Sequence, residues 1–152
     1  MSVRSLSQDD AVLLGAKGVL FVMDTISNAV HAGFRTALLL GAATKTAEAA
    51  VLHGIDACEN LSHCGFLIET VRSTIRRRTK SAHALDGLEL LPPELRRLFL
   101  LPPLLRDCFV LRILVGLSPE VCAEILDVSN TEFEDAVCAA LNQLPLLSSS
   151  AV

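Results

Sequence analysis

Apolar residues recur at helical spacing along almost the whole chain. Phe133, Val137, Ala140, Leu141 and Leu144, for example, fall three and four residues apart, the spacing that gathers side chains on one face of an α-helix. No stretch alternates strictly in steps of two, and no Asn-Gly or Asp-Gly marks a hairpin. The pattern predicts an all-α protein. A first helix begins after Ser7, with Asp9 and Asp10 in its opening turn, where carboxylates suit the helix dipole. A longer helix covers Leu20 to Leu40 and stops near Gly41. Thr44 caps a helix from Lys45 to about Glu59. Ser62 caps the next, which ends at Arg76-Arg77-Arg78 with its cations at the end the dipole favours.

The periodicity then lapses. Residues 79–92, TKSAHALDGLELLP, read as a linker between an N-terminal helical domain, 1–78, and a C-terminal one, 93–146, with a loose tail at 147–152. Two Leu-Pro-Pro triplets, at 91–93 and 101–103, place proline where a helix starts. They predict helices from Pro93 to Leu100 and from Pro103 to Leu114, the second halted by Gly116. Ser118-Pro119-Glu120 supplies a cap, a first-turn proline and an early acid for a short helix to Leu126. Asp127-Val128-Ser129 forms a turn, and Ser129 with Glu132 makes a capping box that opens the last helix, to about Leu144.

Composition narrows the function. Apolar residues make up 51% of the chain and mean hydropathy is +0.50, so much surface is expected to be covered, between the two domains or in a homodimer. Six Phe with no Trp or Tyr leave almost no stacking platform for single-stranded nucleic acid. A net charge of −4 opposes generic polyanion binding. The N-terminus is polar, and the longest apolar stretch, AVLLGAKGVLFVM, is interrupted by Lys17 and stopped by Asp24. It falls short of the roughly 20 residues of a membrane span, and the expected location is cytoplasmic. The five cysteines form no CxxC pair and read as reduced thiols, mostly buried, with Cys108, Cys122 and Cys138 as small core residues.

No catalytic centre emerges. His53, Cys58, His63 and Cys64 are metal-ligand types, but their spacing fits no zinc pattern; they read as buried thiols and surface histidines, and no cofactor is implied. His53 and Asp56 stand three apart on a helix without a nucleophile, a Gly-rich loop or a second carboxylate, which is a surface pair and not an acid-base site. The expectation is a protein that is not an enzyme.

Charge is unevenly distributed. Residues 71–112 hold nine basic groups against four acids, whereas residues 113–152 hold six acids and no base. The run Arg76-Arg77-Arg78, with Arg72 and Lys80, is the candidate contact for nucleic-acid phosphate.

From Pro102 onward, the segment LPPLLRDCFVLRILVGLSPEVCAEILDVSNTEFEDAVCAALNQL closely resembles the C-terminal domain of bacterial extracytoplasmic-function sigma factors. The likeness rests on Leu-Pro-Pro, on Phe109-Val110-Leu111-Arg112, on Gly116-Leu117-Ser118, and on the apolar positions from Cys122, Ala123, Leu126 and Val128 to Phe133, Val137, Ala140, Leu141 and Leu144. It implies a helix-turn-helix whose second helix reads the upstream promoter element. ALLLGAATKTAEAAVLHGIDAC and GFLIETVRSTIRRR are similar to the family's other domain, which docks on RNA polymerase and helps melt DNA. Phe66 stands where that domain usually has an aromatic residue. Together the two matches span about three quarters of the chain.

The departures carry information. Where the family presents Lys or Arg outward on the recognition helix, this chain has Glu134, Ala136 and Ala139, with Glu132 and Asp135 beside them. Neutralising phosphates supplies most non-specific affinity for DNA, and carboxylates reverse its sign. A carboxylate reads bases only by accepting from a cytosine amino group. Asn130, Thr131, Glu132, Glu134 and Asp135 thus form a recognition surface with weak or absent DNA binding. At the polymerase-facing positions, Glu48 remains, while Ala49, Leu52 and His53 replace acids and amides. The resemblance implies a transcription protein acting through contact with core RNA polymerase or another regulatory protein. Two other readings stand beside it: an oligomeric interaction protein on the same scaffold, and a working promoter-specific sigma factor using Arg72 to Lys80 with Arg96, Arg97, Arg106 and Arg112.

Overall fold

The computed structural model describes residues 26–58, 63–78 and 87–149. The helix expected after Ser7, the start of the Leu20–Leu40 helix, the Ser62 cap, Lys80, most of the linker and the end of the tail lie outside these residues. Among the described residues there are seven α-helices and no strand. α1 occupies residues 26–39, α2 Thr44–Ala57, α3 His63–Arg77, α4 Pro93–Arg96, α5 Pro103–Phe109, α6 Pro119–Leu126 and α7 Asn130–Ser149. The fold is all-α, as the periodicity predicts. No described helix is long and apolar enough to cross a membrane.

Helix ends follow local chemistry. α1 stops at Gly41, whose φ of +86° lets the Gly41 amide donate to Leu38 O and the Ala42 amide to Ala37 O, so the last carbonyls are satisfied by a left-handed cap. α6 ends the same way through Asp127, at φ +55°, with Val128 N–H donating to Ala123 O. Ser118 Oγ accepts from Val121 N and Ser129 Oγ from Glu132 N, the two caps expected of these serines. α2 differs: it starts at Thr44 itself, its cap residue is the extended Ala43, and no side chain caps it. α4 continues as a 3-10 turn, Arg97–Leu100, and α5 as a π turn, Val110–Leu114. α7 runs past the expected stop at Leu144, through Pro145, to Ser149. Proline forfeits one ladder hydrogen bond, and Leu144 and Leu147 packing against the core keep the helix going.

Two glycines let the first three helices approach closely. Phe66, 1% exposed, lies between α1 and α2. A Cβ on Gly33 would stand 2.9 Å from its Cε1, and one on Gly54 would stand 3.2 Å from its Cδ2 and Cε2. Thr70, one turn along α3, packs its hydroxyl against Gly54 and its Cγ2 towards Gly33. Ser73 and Thr74 are buried beside it, and Thr74 Oγ1 donates back to Thr70 O at 2.7 Å.

The residues before and after the linker share one core. Leu40 and Val71 belong to the same buried cluster as Leu98, Leu111, Cys122 and Phe133. α5 and α6 both pack on α7, and α6 also meets α3. Along α7 the inward stripe is Phe133, Ala136, Val137, Ala140, Leu144 and Leu147. At about 100° per residue this phase leaves Cys138 and Leu141 outside it. Cys138 is exposed and Leu141 is 47% exposed, so neither is the core residue expected. Ala136, expected to point outward, is buried.

Candidate functional site

The outer face of the α7 N-terminus is built by the Ser129 cap and by Phe133 turning inward. Asn130, Thr131, Glu132, Glu134 and Asp135 are all exposed around it, and among the described residues no cation pairs with the three acids. The surface is negative at the end of a helix whose dipole favours negative charge. On α2, Glu48 and Leu52 are exposed one turn apart and His53 is half-buried. Leu52 is 62% exposed, high for a large apolar side chain.

The four arginines of α3's C-terminal half have distinct surroundings. Arg76 and Arg77 are exposed, and each Nε donates one turn back, to Arg72 O at 3.4 Å and Ser73 Oγ at 2.9 Å. Arg72 reaches across to α6 and pairs with Glu124 at 3.3 Å. Beside that pair, Glu69, Ile75, Arg76 and Ile125 line a cleft of about 300 Å³ between α3 and α6. Arg78, grouped with its neighbours in the sequence, is drawn inward instead: its Nη2 meets Asp107 Oδ2 at 2.7 Å and its Nη1 donates to Leu40 O at 2.8 Å. It is committed to protein atoms and does not stand free for phosphate.

Asp107 and Arg106 went unremarked in the sequence except within the family likeness. The available signal was a charged pair set inside the apolar stretch Leu104-Leu105-Arg106-Asp107-Cys108-Phe109. Asp107 has only 3% of its side chain exposed and also faces Arg106 Nη2 at 3.6 Å. Arg106 extends over the Phe99 ring, 4.8 Å from its centroid, and its Nη2 approaches Leu40 O at 3.5 Å. Two guanidinium groups thus surround one carboxylate at the C-terminal end of α1. The partial negative charge of those helix carbonyls offsets part of the excess positive charge. Burial lowers the Arg106 pKa, against the opposing pull of Asp107. Arg106 Nε and Asp107 Oδ1 are buried without a hydrogen bond.

The thiols divide by position. Burial, reinforced by the nearby Asp107 carboxylate, pushes Cys108 up to about 12; burial raises Cys122 to about 11. Both are inert as nucleophiles at neutral pH. Among the described residues no three His, Cys, Asp or Glu side chains gather to hold a metal ion. Comparison with family models, curated proteins and solved structures finds no match to the chain.

Proposed function

We propose that the chain is a sigma-factor-like transcription protein of the extracytoplasmic-function type, in which the C-terminal helix-turn-helix has exchanged DNA reading for protein contact. The observation that carries this reading is the outer face of the α7 N-terminus, where Glu132, Glu134 and Asp135 are exposed without a cation. The short Asp127–Ser129 turn and its two capped helices support a helix-turn-helix scaffold. The acids oppose phosphate contact, since a helix entering the major groove must pass between phosphates. Exposed Glu48 and Leu52 on α2 support a second protein-facing surface, suited to core RNA polymerase.

Titration of labelled core RNA polymerase with the full chain tests the reading. Saturable binding that Leu52→Asp weakens is the expected result, and absence of binding overturns it. Glu132→Arg with Glu134→Arg and Asp135→Arg is expected to create salt-sensitive binding to duplex DNA, because the face already points to solvent. The competing reading, an oligomeric interaction protein, draws on the exposed Leu100, Ile113, Leu114 and Leu146. It predicts a stable oligomer by light scattering with no polymerase binding.

A further inference from the structure

The arginine cluster of α3 is the strongest concentration of positive charge among the described residues, and two of its members are held by carboxylates from the other side of the linker. Asp107 of α5 holds Arg78 and Glu124 of α6 holds Arg72. Both carboxylates occupy the place that a phosphate oxygen takes in an arginine–nucleic acid contact. We propose that Asp107 and Glu124 are autoinhibitory contacts: they stand in for nucleic-acid phosphates on Arg78 and Arg72, so that duplex DNA engages the α3 arginines only when α5 and α6 draw back from α3. The proposal rests on the reading as a transcription protein for the choice of polyanion, but not for the contacts themselves.

Three features set these contacts apart from a fixed structural staple. The buried cluster is unbalanced, with Arg78 and Arg106 facing a single carboxylate. It is also incompletely satisfied, because Arg106 Nε and Asp107 Oδ1 lack hydrogen bonds. Removing such charges from water costs nearly what their attraction returns, so the contact lies close to balance and a competing polyanion shifts it. The Arg72–Glu124 pair is exposed on both sides, 39% and 69%, and contributes little on its own. Finally, Arg78 is the last described residue before the segment 79–86 and adjoins Arg76 and Arg77, both exposed. A phosphate backbone that first meets those two cations is then within one side chain's reach of Arg78.

Fluorescence anisotropy with a labelled duplex of arbitrary sequence tests this on the full chain. Glu124→Gln releases Arg72 without disturbing a buried group. Glu134→Gln, on α7, makes the same change in net charge away from α3 and serves as the control. A second variant adds Arg106→Met and Asp107→Asn to Glu124→Gln, removing the excess buried cation together with the carboxylate and freeing Arg78. Glu124→Gln is expected to bind the duplex more tightly than Glu134→Gln. The opened variant, if circular dichroism shows it helical, is expected to bind about tenfold more tightly than the parent. Its dependence of log K on log salt should be steeper by about two, one for each freed arginine. Arg72→Gln with Arg78→Gln should abolish that gain. If the opened variant does not fold, the Glu124→Gln and Glu134→Gln comparison decides the question. Equal affinities there, or a gain that survives loss of Arg72 and Arg78, overturn the proposal. Polymerase binding is measured separately, so its failure does not mimic either outcome.

Discussion

Gly54→Ala is expected to destabilise this protein, although alanine is the better helix former. In an open helix the change gains about 0.5–1 kcal/mol from backbone entropy. Here the new Cβ would overlap the Thr70 hydroxyl and press on Phe66 at 3.2 Å. Phe66 is 1% exposed and Thr70 fully buried, and Thr70 has little room to turn because its Cγ2 already faces Gly33. Overpacking a closed site costs about 1–3 kcal/mol, so the net effect is a loss of about 1–2 kcal/mol. Thr70→Ala by itself is close to neutral. Its Oγ1 is buried without a hydrogen bond, so removing it relieves a desolvation penalty of about 1–3 kcal/mol. That relief offsets the lost methyl burial of about 0.8 kcal/mol or more. The Thr70 carbonyl, which accepts from Thr74, is unchanged. In the double variant the new methyl occupies the space the hydroxyl left, and stability returns to the parent level or above it. The coupling between the two sites is therefore favourable and about 1–2 kcal/mol, within the range seen for residues in contact. Urea unfolding of the four proteins, followed by far-ultraviolet circular dichroism, measures it. In thermal melts 1 kcal/mol corresponds to about 2–4 °C for a chain near this size. A Gly54→Ala protein as stable as the parent, or additive single effects, would refute the close approach of α2 and α3.

The remaining predictions concern α7 and the thiols. Phe133→Ala empties a site that is 1% exposed where α7 meets the shared core, and is expected to cost about 3–5 kcal/mol in the same unfolding assay; a loss below about 1 kcal/mol would mean that α7 is not anchored there. Ser118→Ala and Ser129→Ala each remove a cap bond and are expected to cost about 1 kcal/mol apiece, read as urea midpoints that shift without a change of slope. In the folded chain Cys108 and Cys122 keep their protons to about pH 12 and about pH 11, whereas in the unfolded chain they ionise near the ordinary 9. The raised folded values leave stability intact below pH 9. Above it stability is lost, by up to about 1.4 kcal/mol per pH unit for each thiol. Cys108→Ala with Cys122→Ala should flatten this alkaline decline, and an unchanged decline would show that these thiols do not cause it.

Much of the helical layout was legible locally. Prolines at the starts of α4, α5 and α6, Gly41 at the end of α1 and serines before α6 and α7 act through their own backbone and nearest neighbours. That is why the all-α class and most boundaries could be read from spacing alone. The candidate surfaces were legible only in part. The acidic residues on α7 point outward as expected, yet Ala136, Cys138 and Leu141 do not lie where the pattern put them. A stripe of small and apolar residues fits more than one helical phase, and Phe133 packing into the core selects one of them. The arginines show the same limit. Arg76, Arg77 and Arg78 are equivalent in a sequence, and any of them suits a helix end or a phosphate.

By itself, then, the sequence determined the helices, their caps and the division of charge into a basic middle and an acidic end, because these depend on residues a turn or less apart or on simple counting. The tertiary structure alone decided that Phe66 would lie between two glycines on different helices, and that the residues on both sides of the linker would share one core. It also decided that Arg78 would turn inward to Asp107 while Arg76 and Arg77 stayed in solvent. The reason is physical: a buried charge is tolerable only beside a partner, and here the partner lies 29 residues along the chain, as the positions 78 and 107 show. No local pattern encodes that separation; it exists only once α3 and α5 are packed together.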